Sequence, residues 1–114
     1  MVGNKRVAYI SGGITGVKNY RELFDQAERE LKEFGYIVIN PAKIEDCLPP
    51  VFSWDEYMTL CYPMIDLSDD IFFLDNWEDS KGALCEYNFG EVQGKGLYTL
   101  SKYLLLHKKS SNNT

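Results

Sequence analysis

Seven carboxylates fall within 21 positions of the chain: Asp66, Asp69, Asp70, Asp75, Glu78, Asp79 and Glu86. Such groups can act as acid, base or nucleophile, or serve only as helix caps and solvated surface. Glu86 stands apart through its spacing, Ser80-x-Gly82-x-x-x-Glu86. If a helix begins near Ser80, six or seven residues at ~1.5 Å each put Glu86 roughly 10 Å from its N-terminus. There it faces a cleft, if Gly82 and Ala83 leave room above a sheet, or it faces solvent as most glutamates do. The second chemical feature is the loop Gly12-Gly13-Ile14-Thr15-Gly16. Backbone amides ahead of a helix can cradle a phosphate or another polar group, or the glycines can simply supply a turn with positive φ. The loop is not G-x-G-x-x-G, and Asn40 rather than an acid closes the second apolar run. Gly90-x-x-x-Gly94-Lys95 is one residue short of a P-loop and precedes a strand instead of following one.

The elements that must position these residues follow from periodicity. Residues 5–11, 36–40 and 70–74 are short apolar runs rich in β-formers and read as buried strands, with 97–101 a fourth. Between the first two, Tyr20, Leu23, Phe24, Ala27, Leu31 and Phe34 form one stripe at helical spacing. Asn19 with Glu22 predicts a capping box, and Gly35 ends the helix. Residues 41–53 read as a loop. Ser53 and Glu56 predict a second capping box, opening a helix in which Trp54 is core and Pro63 forces a kink or restart. A third helix starts near Ser80. Residues 102–108 fit either a fifth strand or a short helix, and the polar segment 110–114 is expected to be disordered. The pattern β-α-β-α-β-α-β predicts an α/β three-layer sandwich. A parallel, flavodoxin-like sheet of four or five strands, order 2-1-3-4-5, has helices on both faces. One domain spans residues 1–109. Its ligand site lies beyond the carboxyl ends of the strands, where residues 11–19, 41–53 and 75–80 meet.

Composition narrows the classes of function. Of 114 residues, 45% are hydrophobic and 25% charged, which suits one packed domain. Twelve basic against seventeen acidic side chains leave a net charge of −5, which argues against a DNA or RNA polymer or an anionic membrane as partner. Three cysteines without C-x-x-C spacing and the single His107 form no zinc signature, so no metal is expected. The odd cysteine count, the brevity of the apolar run at 7–10 and the absence of a ~20-residue apolar span point to a cytoplasmic protein.

Five segments, in this order, carry a resemblance. They are residues 9–16 (YISGGITG), residues 35–41 (GYIVINP), Trp54-x-x-Tyr57-Met58, the pair Asp66-Leu67, and Trp77-Glu-Asp-Ser80-x-Gly82-Ala83-x-x-Glu86. Together they resemble the nucleoside 2-deoxyribosyltransferase superfamily, in particular a small bacterial and phage branch of it, over about residues 5–100. The resemblance implies a retaining attack on an N-glycosidic bond. Glu86 matches the nucleophile, Tyr9 the residue that orients it, and Asp66, ahead of Asp69, the acid that assists the departing base. Ser11, Gly12, Gly13, Thr15, Gly16 and Gly82 are expected to line the substrate, and Ser80 takes a place where nucleotide-cleaving relatives contact a 5′-phosphate, with Lys81 beside it. Trp77 stacks on a base or anchors its loop to the sheet. No cofactor is implied. The partner is a small nucleoside or nucleotide, and residues 103–106 offer a surface for a homodimer or higher homo-oligomer.

The chemistry suits these residue types. Departure of a base leaves positive charge on the sugar, which an ionised carboxylate stabilises and then captures as a glycosyl ester. Glu86 must be ionised while its acid partner is protonated, so their environments must separate their pKa values. A non-catalytic nucleotide-binding or sensing module on the same fold is the alternative, and cleavage of a dinucleotide such as NAD ranks last because the site looks too small.

Overall fold

A computed structural model describes residues 5–49 and 53–112, with side chains to residue 107. Four strands form one parallel sheet in the order β2-β1-β3-β4: β1 (Val7–Ser11), β2 (Ile37–Ile39), β3 (Asp70–Phe73) and β4 (Gly96–Thr99). The register pairs Tyr9 with Ile39 on one side and with Ile71 on the other. The helices are α1 (Tyr20–Glu33), α2 (Trp54–Asp66), α3 (Lys81–Val92) and α4 (Leu100–Asn112).

The alternation of side chains along a strand divides the core in two. Ala8, Ile10 and Phe72 point to the face covered by α1 and α4, where Phe24, Ala27, Leu31 and Leu100 are buried. Tyr9, Ile71 and Phe73 point to the face covered by α2 and α3, where Cys61 and Ile65 are buried. Helix α3 lies close to the sheet because Gly90 has no side chain; a Cβ there would collide with Ile71 Cδ1. At the opposite end from the strands' carboxyl termini, Arg6 donates twice to the buried Asp70, at 2.9 and 3.0 Å.

Several expectations change. No fifth strand occurs among the described residues, because 100–112 are helical. Tyr103 packs edge-on against Phe34 and Phe72 in the core, whereas Leu105 and Leu106 are exposed. Helix α4 runs through 110–112, where disorder is expected, and residues 113–114 lie outside the described residues. Asn19 caps α1 without a side-chain bond, so that capping box is not made. The Ser53–Glu56 box is made in both directions, and α2 continues past Pro63 to Asp66.

Residues 41–47 are a 3-10 helix rather than a loop. Asn40 starts it, accepting from Ala42 N while donating to Asp25 and Glu28. Glu28 also accepts from Lys32 at 2.7 Å and Lys43 at 2.8 Å, which fastens this segment to α1. Burial pushes Glu28 up, but the bonds from Lys32, Lys43 and Asn40 outweigh it and bring its pKa down to about 2.

Candidate active site

Glu86 sits on the second turn of α3, where it faces the sheet, not solvent, and is 5% exposed. Tyr9 and Ser11 lie two residues apart on β1, so both point to the α3 face. Tyr9 OH donates to Glu86 Oε2 at 2.6 Å, and Ser11 Oγ donates to Oε1 at 2.6 Å. Each carboxylate oxygen thus has its own buried hydroxyl, at the short distance typical of charge-assisted bonds. Ser11, expected to line the substrate, holds the carboxylate and also borders the cavity.

Burial raises the pKa of Glu86, while bonds from Ser11, Tyr9 and the Cys61 thiol act to lower it. The balance is a net upward shift. The neighbouring donors respond in turn. Burial, then the charge of Glu86, pushes the Tyr9 phenol well up. The same two causes push Cys61 up to about 12. Both stay protonated and act as donors to the carboxylate.

Glu86 opens onto a cavity of about 770 Å³ beyond the carboxyl ends of β1 and β3. This is within the ~300–1,000 Å³ of small-molecule sites. The strand order reverses between β1 and β3, so the cavity lies at the topological switch point. Gly12, Gly13, Thr15, Ser80 and Gly82 border it. Gly12 is needed for closeness: a Cβ would lie 2.9 Å from Leu74 Cδ1. The amide of Gly13 is already committed, donating to Asn76 Oδ1 at 2.9 Å and tying the β1 loop to the β3 loop. Gly16 shapes the loop through its φ of +79° but is absent from the cavity wall. Ser80 Oγ accepts from Ala83 N at 3.2 Å as the α3 cap, which leaves its O–H to donate.

Two expected residues are elsewhere. Asp66 is the last residue of α2, exposed, with its carbonyl accepting from Lys95 Nζ at 3.0 Å. The chain enters β3 four residues later, which puts Asp66 at the amino-terminal edge of the sheet, opposite the cavity. Asp69 is at that same edge, accepting from Val7 N. Trp77 is a loop anchor: its ring stacks on Tyr87 with centroids 5.2 Å apart and leans on Phe73 at 4.9 Å. Neither Asp66 nor Trp77 borders the cavity.

Trp54 takes the place expected of Trp77. It starts α2 and is 38% exposed rather than core, and its indole forms part of the cavity wall under the Lys81 ammonium, 4.4 Å from the ring centroid. Asn76, Tyr57 and Glu45 also border the cavity. Glu45 arrives on the 3-10 helix, bonded by Tyr20 OH and by Arg21 at 3.3 Å. Its only signal in the sequence was position within a loop predicted to reach the site. Among the described residues, no three His, Cys, Asp or Glu side chains gather as a metal site.

Residues 6–99 match a family model described as "Domain of unknown function (DUF4406)". No curated protein and no solved structure matches the chain.

Proposed function

The chain belongs to the DUF4406 family, and we propose that it cleaves or exchanges the N-glycosidic bond of a nucleoside, deoxynucleoside or nucleoside 5′-monophosphate through a glycosyl ester on Glu86. The observation that carries this reading is the buried Glu86 carboxylate, gripped by Tyr9 and Ser11 at 2.6 Å each and opening onto the 770 Å³ cavity. A surface carboxylate is freely solvated and poorly aimed. This one is fixed in direction by two donors and shielded from water, as a nucleophile under an anomeric carbon needs to be.

Attack of a Glu86 oxygen on C1′ expels the base and forms the ester; water or a second base then attacks C1′ with overall retention. The hydroxyls that hold the carboxylate keep it partly neutralised, so it can leave again in the second step. The layering supports the reading, since a flavodoxin-like arrangement places ligands at this switch point. The resemblance to nucleoside 2-deoxyribosyltransferases supports the roles of Glu86 and Tyr9. It does not carry over to Asp66, and any proton for the base comes from within the cavity or from water. Ser80 and Lys81, at the amino-terminal end of α3, are suited to a 5′-phosphate.

The test is incubation with a panel of nucleosides and 5′-monophosphates, following free base by chromatography and the protein by intact mass spectrometry. Base release, and a glycosyl adduct lost in Glu86→Gln, is the expected result. Absence of release with every member, or equal release by Glu86→Gln, overturns the proposal.

A further inference from the structure

Carboxylates outnumber cations on the cavity wall. Among the described residues that border it, Glu45, Asp79 and Glu86 are acidic and Lys81 alone is basic. Arg21 offsets Glu45 from outside the wall, across 3.3 Å. One aromatic face in the wall is already used by a cation: the Lys81 ammonium sits 4.4 Å from the centre of the Trp54 ring. An indole face that holds an exposed lysine can hold a flat cation in its place.

The reacting end carries a further asymmetry. Its carboxylate is Glu86, whose oxygens are taken up by Tyr9 and Ser11. Asp66, the expected acid, is at the other edge of the sheet. Asp79 stands on the 3-10 turn before α3, seven residues ahead of Glu86, and is exposed where it borders the cavity. The Tyr9 phenol, raised by burial and by Glu86, is a poor proton donor to a leaving group. A neutral base that departs without a proton leaves as an anion. A base that is already cationic needs no acid.

We infer that the preferred substrates of this cavity are N-glycosides whose base bears a positive charge, such as an N-ribosylpyridinium or an N7-alkylated purine nucleoside. The inference rests on the glycosyl-transfer reading above and names its substrate class. In the first step a Glu86 oxygen forms a bond to C1′ while the C1′–N bond breaks. The electron pair of that bond goes to the ring nitrogen and cancels its charge, so the base leaves neutral with no proton transferred. In the second step water attacks C1′, the ester bond returns its pair to Glu86, and the water's proton goes to solvent. The acidic wall and Trp54 attract the cation before the reaction and release the neutral product after it.

The experiment has two arms. In the first, wild-type protein is titrated with N1-methylnicotinamide and with nicotinamide, which differ in charge and have no glycosidic bond, using calorimetry. The cation is expected to bind at least ~10-fold more tightly, and Asp79→Asn is expected to shrink that ratio. In the second, nicotinamide riboside and 7-methylguanosine are compared with guanosine and 2′-deoxyguanosine, each rate divided by its uncatalysed rate at the same pH. The cationic nucleosides are expected to show at least ~100-fold greater acceleration. Equal binding of the two nicotinamides, or equal acceleration of neutral and cationic nucleosides, overturns the inference and leaves the glycosyl-transfer reading in place. No cleavage of any nucleoside and no Glu86 adduct removes that reading, and the inference with it.

Discussion

Replacing Tyr9 by Phe removes one oxygen from the buried face of β1 and leaves the ring packed. The lost bond is the 2.6 Å donation to Glu86 Oε2. A hydrogen bond to a charged group contributes about 1.5–3 kcal/mol, and one pKa unit corresponds to about 1.4 kcal/mol. The phenol stabilises the ionised form, so its removal raises the pKa of Glu86 further above the ordinary carboxylate value. The sign matches the existing upward shift, since burial is the largest cause and Tyr9 is one of the groups opposing it. Titration of the carboxyl band by infrared difference spectroscopy, with Glu86→Gln to identify it, reads the shift directly. In turnover, the acid limb of kcat/KM moves to higher pH by the same amount, while the plateau at high pH changes less. Ser11→Ala acts in the same direction, and the double variant exceeds either alone. A Tyr9→Phe titration within about 0.3 units of wild type, or about 0.4 kcal/mol, refutes the claim that this hydroxyl holds the charge.

Glu86→Gln stabilises the fold at neutral pH by about 1–2 kcal/mol, seen as a higher denaturant midpoint, because a buried charge is replaced by an amide that still meets both hydroxyls. Its advantage over wild type fades as pH falls through the raised Glu86 pKa, where the wild-type carboxyl becomes neutral in the fold. Glu28 behaves in the opposite sense. Its depressed pKa gives stability that is complete above the usual carboxylate range and is lost as pH falls toward about 2. The contribution is at most about 3 kcal/mol, so the gap in urea midpoint between wild type and Glu28→Gln closes between about pH 5 and pH 2. Asp66→Asn keeps base release within about twofold of wild type, because that side chain is exposed at the far edge of the sheet; a loss beyond about tenfold, or about 1.4 kcal/mol, contradicts the placement.

Much of this architecture is legible in the sequence. Apolar runs of four or five residues alternating with amphipathic stretches identify strands and helices, because side-chain period follows from backbone geometry alone. The Ser53–Glu56 box and the Ser80 cap were readable for the same reason: each is a bond between residues three apart. Asn19 failed the same test because a cap signature permits the bond without compelling it. The 3-10 helix at 41–47 is not legible in the sequence because its starting bond, Ala42 N to Asn40 Oδ1, is accepted by a residue that reads equally well as a turn former.

Helical spacing near Ser80 placed Glu86 two turns into α3 but left two directions open, cleft or solvent. The direction came from packing: Gly90 brings α3 down onto Ile71, and Tyr9 and Ser11 supply the two hydroxyls from a strand 75 or more residues away. The exchange of roles between the tryptophans has the same origin. Trp77 turns under its loop onto Phe73 and Tyr87, while Trp54 at the start of α2 reaches the cavity and Lys81. Asp66 is near Glu86 in number and remote in space, because a helix returning from the carboxyl edge of a parallel sheet ends at the amino edge. Local periodicity fixes what each segment is. Contacts between segments distant in the chain fix where its side chains point, and no local pattern encodes them.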